Sequence, residues 1–445
     1  MFDMLMLGLS DALRLDTFIW IGGGLLLGML VGALPGFTTS MGMSVLVPIS
    51  FLVGDPLIGI PFLIGVYKGG IYGGSVPAIL ISMPGTGASI ATVLDGYALT
   101  KKGQSRKALE MSLFSSGLSD FFSDIFTLVM IIPVATVVLG FGPPEIAAVM
   151  FLSLVIIAVT SAGPAVKGLI MLGLGIWVGF VGADPFSAMA RYTFGTTELY
   201  DGFHLIPILI GLFALPEIFN AVKEGDTSGK RISAFVGERL RLQELKNSFR
   251  TIFRSTMIGT GIGIVPGLGQ PIAAMMGYVA AKNASKYPEK FGEGELDGVA
   301  AAESANNAVN GPTMIPLLTL GIPGDSVTAL LLGAFMMQGL RPGPTLLESS
   351  GNVVFAILIA MIFANVLFVI IGYLTIPLFA RVVTIKKSLL IPVTIMLAFA
   401  GTYLARSNPF DIITLISFGL IGIAARMAKF DVAPMVMGFI LGREL

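Results

Sequence analysis

Long apolar runs alternate with short polar turns along nearly the whole chain. Phe18 to Pro35 opens the series and closes in Gly32-Ala33-Leu34-Pro35-Gly36-Phe37-Thr38-Thr39-Ser40, after which a second run from Met41 to Val53 begins at once. A run to Val66 follows Asp55-Pro56, then the glycine-rich stretch Tyr67 to Ser75, then Pro77, an apolar filling and Pro84-Gly85. Past the basic turn at Lys101 to Lys107 come spans near Ala108 to Phe141, Pro144 to Thr160, Val166 to Val181 and Phe203 to Phe219. Runs this long and apolar predict membrane-spanning helices. Pro-Gly inside such a run breaks the helix, because proline lacks an N–H and glycine takes backbone angles that other residues avoid. In hydrocarbon such a break is tolerated only where protein or a water-filled cavity receives the freed backbone groups.

The pattern occurs twice. Pro77 to Thr86 and Pro316 to Asp325 both place Pro-Gly at the same distance after an earlier proline, and Pro84 and Pro323 lie 239 residues apart (323 − 84). Pro35-Gly36 is answered by Pro266-Gly267 at an offset of 231 (266 − 35), and Pro207 by Pro434 at 227 (434 − 207), with Glu217 opposite Glu444. The predicted architecture is an all-α, polytopic membrane protein of two repeats with broken helices and re-entrant hairpins. Residues 1–220 form the first repeat, residues 221–254 a basic linker and residues 255–445 the second repeat. Lys and Arg concentrate on the cytoplasmic side of membrane proteins. With the linker inside, Lys101 to Lys107, Arg381 to Lys387 and Arg426 to Lys429 also fall inside. Their counterparts Gly140 to Pro144 and Asp184 to Gly202 carry almost no positive charge. The bias thus changes side between the halves, which predicts inverted repeats with both termini outside. The Lys282 to Leu296 loop is expected outside in this scheme, although Lys282, Lys286 and Lys290 argue against it. The segment before Asp16 lacks the basic start of a cleaved signal, so the first span is expected to direct its own insertion.

Composition agrees with a membrane location and narrows the chemistry. Of 445 residues 55% are hydrophobic and 12% charged, against about 25% charged in soluble proteins. The mean hydropathy is +0.89. Lys+Arg and Asp+Glu balance at 27 each, which argues against a nucleic-acid partner. With no cysteine and one histidine, His204, neither a thiolate nor a multi-histidine metal site is available. No P-loop or Gly-x-Ser-x-Gly elbow appears, so an enzyme is not expected, and neither is a cofactor.

Two interrupted apolar segments at matching places in two halves point to a transporter's binding site. The amino end of a half-helix presents unpaired N–H groups and partial positive charge, which suits a carboxylate or phosphate. The candidate substrate site is therefore the set of breaks and their hydroxyl residues: Pro35, Gly36, Thr38, Thr39, Ser40, Pro84, Gly85, Thr86, Gly87, Pro266, Gly267, Gly269, Gln270, Pro323, Gly324 and Ser326. Lys68, a charge within an apolar stretch, joins this set on the rule that intramembrane charges are functional or snorkel to an interface. Asp325, Glu303, Asn306, Asn307 and Asn310 are the candidates for a coupling cation, Na⁺ or H⁺, since their oxygens suit either. Asp just after Pro-Gly is also a common helix cap, so Asp325 has a second reading.

The same stretches resemble the large membrane (TctA-type) subunit of the tripartite tricarboxylate transporters. The resemblance is carried by Gly32-x-x-Pro35-Gly36, Tyr67-x-Gly-Gly-x-Tyr72-Gly-Gly-Ser75, Pro84-Gly85 through Asp95-Gly96-Tyr97, Arg191-Tyr-Thr-Phe-Gly195, Pro266-Gly267, Pro288-Glu-x-Phe-Gly292, Glu303-x-x-Asn306-Asn307 and Leu318-Thr-Leu-Gly-Ile-Pro-Gly324. Ser82, Gln270, Asp325 and Gln338 depart from the usual residues. The resemblance implies a secondary importer of organic di- or tricarboxylates in the bacterial inner membrane, driven by a cation gradient. It further implies a small four-helix membrane subunit and a periplasmic substrate-binding protein as partners. A stand-alone carboxylate permease and a non-transporting membrane scaffold are the competing readings.

Overall fold

A computed structural model describes residues 2–160, 164–184, 189–224, 237–383, 385 and 387–442. The first half holds α1 (Phe2–Ala12), α2 (Leu15–Ala33), α3 (Thr39–Val53), α4 (Pro56–Ile81), α5 (Ile90–Lys101), α6 (Ser105–Leu139), α7 (Pro143–Thr160) and α8 (Ala165–Gly179). A two-residue antiparallel ribbon, β1 (Gly182–Ala183) with β2 (Ala190–Arg191), precedes α9 (Leu205–Leu209). That helix runs through a π-helical turn at Ile210–Ala214 into α10 (Leu215–Glu224). After the linker come α11 (Leu242–Asn247), α12 (Phe249–Gly263), α13 (Gly269–Ala284), α14 (Leu296–Asn307), α15 (Met314–Leu320) and α16 (Ser326–Met337). The chain ends in α17 (Leu346–Val382), α18 (Lys387–Arg406), α19 (Pro409–Met427) and α20 (Ala433–Leu441). Among the described residues, seven helical units are long and apolar enough to cross a membrane: α2, α4, α6, α9 to α10, α17, α18 and α19. The protein is a multi-pass, all-α membrane protein. Val129, Val137, Phe151, Leu374, Met396 and Leu420 are exposed, as expected of a face that meets lipid tails.

All four Pro-Gly breaks interrupt helices. The glycine-rich stretch Tyr67 to Ser75 does not: it lies inside the continuous, buried α4, although Pro61 and Pro77 are in the same helix. Its glycines serve close packing. A methyl group on Gly24, Gly28 or Gly32 of α2 would lie 2.0, 2.3 or 2.4 Å from the carbonyl oxygens of Phe62, Val66 and Gly70. Residue numbers rise together on both sides, so α2 and α4 run parallel, and only glycine lets two backbones approach so closely. The second half repeats the contact: methyls on Gly259 and Gly263 of α12 would meet the carbonyls of Ala305 and Val309 at 2.2 and 2.9 Å. These pairs match the first half residue for residue at the offsets of 231 and 239. The turn geometry repeats as well. Ser82 and Gly321, 239 residues apart (321 − 82), both take left-handed backbone after α4 and α15.

Contacts at the helix ends fix the relative direction of the halves. The open end of the α2–α3 hairpin lies at the start of α4, where Arg14 pairs with Asp55 at 3.3 Å and Thr17 Oγ1 donates to the Leu57 carbonyl. Gln338, at the far end of α16, donates to the Ser50 carbonyl at this same place. The open end of the α12–α13 hairpin instead sits at the far end of α5. There Asp95 accepts the N–H groups of Gly292, Gly294 and Glu295 and the hydroxyl of Tyr278. The two hairpins therefore open toward opposite ends of the molecule, which is the inverted arrangement. The last helices are exchanged between halves: α20 packs on α8, where a methyl on Gly175 would lie 2.0 Å from the Met435 carbonyl, and α19 packs on the π-turn through Gly211 and Leu415. Glu444, paired with Glu217 in the sequence, lies outside the described residues.

The position of the Lys282 to Leu296 loop corrects the sequence expectation. It is held by Asp95 beside Leu99, and Thr251 Oγ1 donates to Asp297 at 3.0 Å, so it shares an end with Lys101 to Lys107. The described part of the linker docks there too: Lys107 Nζ reaches Glu244 at 2.9 Å and Leu240 N–H donates to Glu110 at 2.7 Å. Burial pushes the Glu244 carboxyl up, but the Lys107 hydrogen bond and the Arg241 N–H outweigh it and hold the group below the usual glutamate range. The three lysines then lie on the linker side, and the exception to the charge rule disappears. The reason is that α12 and α13 form a hairpin, not two full crossings. Helix α1 was also not expected. It packs on α17 through Gly8, where a methyl would lie 2.8 Å from Phe355 Cβ.

Candidate functional site

The four breaks meet in the middle of the molecule around one cavity of about 780 Å³. Thr38 caps α3, its hydroxyl accepting from Met41 N–H at 3.2 Å. Asp325 caps α16 in a reciprocal box with Thr328. Gly87 opens the short helix ahead of α5, and Gly269 and Gln270 open α13. The amino ends of four half-helices, two from each repeat, thus face a common space, and the first N–H groups of such ends have no partner within their helix. Ser40 Oγ and Ser326 Oγ are 2.9 Å apart and join the tips of the two halves. Gly267 N–H donates to the Gly324 carbonyl at 2.9 Å and ties the two breaks of the second half.

Of the residues proposed from sequence, Thr38, Thr39, Ser40, Thr86, Gly87, Gly267, Gly269, Gln270, Pro323, Gly324, Asp325 and Ser326 line this cavity. Pro35, Gly36, Pro84, Gly85 and Pro266 are not among its lining residues. They form the turns that aim the helix ends, as where Gly85 N–H donates to the Gly74 carbonyl at 3.0 Å. The cavity also has a charged wall that sequence reasoning missed, made of Glu217, Arg426, Lys429 and Asp431. Arg426 pairs with Glu217 at 2.8 Å. The signal was the recurrence of Pro207 and Pro434, which brackets these loops but gives no hint that they fold back onto the breaks.

Both Asp325 oxygens are engaged. Oδ1 accepts from Thr328 N–H at 2.7 Å and Oδ2 from the Tyr67 hydroxyl at 3.0 Å, while Gln270 Nε2 donates to the same tyrosine oxygen. The geometry is that of a helix cap shared across the two halves.

Lys68 lies outside the cavity, fully buried between α4, α6 and α17. Its ammonium reaches Asp124 at 2.7 Å, Asp120 at 3.0 Å and Asn365 Oδ1 at 3.0 Å. Asn365 Nδ2 donates to Asp124, and Asn310 Nδ2 to Asp120 at 3.3 Å. Because α4 is unbroken, Lys68 points at α6 instead of at a helix break. Glu303 is farther along the same seam and equally buried. It accepts hydroxyls from Ser75 at 2.7 Å, Ser112 at 3.1 Å and Ser116 at 3.2 Å, and from Thr92. Asn307 Nδ2 donates to Ser116 at 2.8 Å, whereas neither amide atom of the buried Asn306 has a partner among the described residues. Ser112, Ser116, Asp120 and Asp124 recur every four residues on one face of α6. Two carboxylates at that spacing inside an apolar span are a readable signal.

Residues 18–437 match the family described as the tripartite tricarboxylate transporter TctA family. An uncharacterized 52.8 kDa protein in the TAR-I ttuC' 3' region of Agrobacterium vitis is 36% identical over 438 residues, covering 98% of this chain and 87% of the relative. A second uncharacterized protein of that organism, in the TAR-II ttuC' 3' region, is 40% identical over 184 residues, covering 41% of this chain and 76% of the relative. No solved structure matches. The inverted broken helices and the match across nearly the whole length lead to one conclusion: the chain belongs to the TctA family and is a membrane subunit of a tricarboxylate transporter.

Proposed function

We propose that the protein is the permease subunit of a binding-protein-dependent importer, that it carries an organic di- or tricarboxylate across the bacterial inner membrane, and that a cation gradient drives it. The observation that carries this reading is the convergence of four half-helix amino ends on one cavity. Each end contributes N–H groups and partial positive charge toward a bound anion. Arg426 and Lys429 also stand in the wall, beside Glu217 and Asp431, and a guanidinium that now pairs with Glu217 is of the kind that binds a carboxylate. The cavity's charged wall lies where α10 leads into the linker, which fits an inward-open state if the positive loops are cytoplasmic. The partners are a small four-helix membrane subunit and a periplasmic binding protein, and the coupling cation is Na⁺ or H⁺.

The test is uptake of labelled di- and tricarboxylates into proteoliposomes holding this chain and its small subunit, with the binding protein outside and a Na⁺ or pH gradient imposed. Uptake that needs the binding protein and one gradient is expected, as is its loss in Ser40→Phe and Ser326→Phe at normal expression. Uptake of wild-type magnitude in both variants would move the site elsewhere. Uptake without the binding protein would favour a stand-alone permease.

A further inference from the structure

Residues 308–313, which join α14 to α15, are wedged between α6 and the breaks of the second half. On one side a methyl group on Gly311 would lie 2.6 Å from Asp124 Oδ1 and 3.0 Å from the Ser123 carbonyl oxygen. On the other, methyls on Gly324 and Gly263 would press on Thr313 Oγ1 and Pro312 Cβ. Asn310 of this segment donates through Nδ2 to Asp120 Oδ1 at 3.3 Å.

The cluster it touches has too little positive charge for two ionised carboxylates. Lys68 alone faces Asp120 and Asp124, and all three side chains are 0–1% exposed. With both aspartates ionised the cluster would carry one negative charge in excess, and a buried charge without compensation is neutralised. The elements packed against this part of α6 offer no second cation. Helix α4 brings Lys68 and Tyr67, α14 brings Glu303, α15 has no titratable residue and α17 contributes the neutral Asn365. Lys101 of α5 and Arg250 and Arg254 of α12 stand at the linker end. The Gly311 backbone packs tightly on Asp124 Oδ1 and leaves no space for a metal ion there. A proton needs none.

Hydrogen bonding chooses which carboxyl takes it. Asp124 Oδ2 accepts from the Lys68 ammonium and from Asn365 Nδ2, both at 2.7 Å, and donors of this kind favour the ionised form. Asp120 has only the long bond from Asn310; its Oδ2 lies 3.0 Å from the ammonium yet has no hydrogen-bond partner among the described residues. Glu303 is equally buried, but four hydroxyls donate to it in place of a counter-charge.

We infer that Asp120 is a proton-binding site, its carboxyl protonated at neutral pH beside the Lys68–Asp124 ion pair. Loss of that proton puts the excess charge between α4, α6 and residues 308–313. Both neighbours reach the cavity: the segment presses on Gly324, and Tyr67, next to Lys68, donates to Asp325 in the cavity wall. Use of the proton as the coupling ion rests on the transport reading above; its presence does not.

The test is the infrared spectrum of the purified chain in an ester-free detergent at neutral pH, reading the carbonyl stretch of protonated carboxyls by its shift in D₂O. The wild type should show this band. Asp120→Asn and Asp124→Asn should each lose it, because each leaves one carboxylate to one lysine. Asp120→Glu should move the band to the position of a glutamic acid, whereas Asp124→Glu should leave it in place. A wild-type spectrum without the band, a band that survives Asp120→Asn, or one that moves only in Asp124→Glu would overturn the assignment. Reconstituted uptake separates the two proposals. In Asp120→Asn uptake should cease to follow an imposed pH gradient, and an unchanged dependence would overturn the coupling role alone. Absence of carboxylate uptake in the wild type would overturn the transport reading and leave the proton site standing.

Discussion

Lys68→Met is the substitution whose consequence the structure defines best. Methionine keeps the length of the lysine stem and lacks only the terminal ammonium, so the change removes the charge and its hydrogen bonds with little loss of apolar packing. It strands Asp120 and Asp124, which Lys68 reaches at 3.0 and 2.7 Å with all three side chains at 0–1% exposure. Removing one partner of a buried ion pair costs about 3–5 kcal/mol, because the remaining charge stays desolvated without compensation. Unfolding entropy of about 2.1 cal/mol/K per residue converts this, for a chain of this length, to a Tm lower by roughly 3–5 °C. The assay is thermal unfolding of the purified protein in nanodiscs, with the triple variant Lys68→Met, Asp120→Asn, Asp124→Asn as the control. The single variant should melt early and the triple should recover most of the loss, since neutral amides need no counter-charge. A single variant that melts with the wild type would refute the view that Lys68 holds α6 against α4 by charge. A triple variant no better than the single would show that the loss comes from packing.

Three further outcomes follow from other contacts. Gly28→Ala and Gly259→Ala place a methyl within 2.3 and 2.2 Å of matching carbonyls, so each should lower stability by about 1–3 kcal/mol or more, measured by thermal unfolding; a neutral result in either would break the repeat equivalence. Asp325→Asn should still cap α16, because asparagine caps about as well as aspartate, but it removes the acceptor for the Tyr67 hydroxyl at a cost of about 1–3 kcal/mol. Its uptake should therefore keep an unchanged cation dependence, and a lost dependence would give Asp325 the coupling role. Glu244 has a lowered folded pKa, so its contribution is present above the unfolded glutamate value and disappears as pH falls through the folded one. Hydrogen exchange at residues 240–248 should accordingly speed up in acid, and equally at neutral pH in Lys107→Met.

Much of the architecture was legible because its causes are local. Proline and glycine break helices wherever they sit in an apolar run, so the four breaks, their duplication and the hydroxyl residues beside them could be read directly. Charge in the loops gave the inversion. What escaped depends on which distant segments touch. The role of the glycines of Tyr67 to Ser75 was not legible, because glycine marks both flexible turns and close helix contacts, and only the ladder of α2 glycines decides between them. The Lys282 to Leu296 loop was put on the wrong side because α13, at sixteen residues, resembles a crossing by composition although it is the returning arm of a hairpin. Lys68 seemed aimed at substrate because its partners, Asp120 and Asp124, lie more than fifty residues away on α6. The charged wall from Glu217 and Arg426 forms only when α10 and α19 pack across the two halves.

The central claim is that the tips of both repeats meet at a carboxylate-binding cavity, and the sequence offers a clean way to test it. The chain has no cysteine, and Ser40 Oγ lies 2.9 Å from Ser326 Oγ. The double variant Ser40→Cys, Ser326→Cys therefore carries the only two thiols, close enough for a disulfide to form between the halves. The measurement is the rate of disulfide formation under mild oxidant in nanodiscs, with and without a panel of di- and tricarboxylates. The account predicts rapid cross-linking that at least one carboxylate slows in a saturable manner, while a monocarboxylate of similar size does not. Thiols that fail to cross-link, or cross-link at a rate no carboxylate changes, would contradict it.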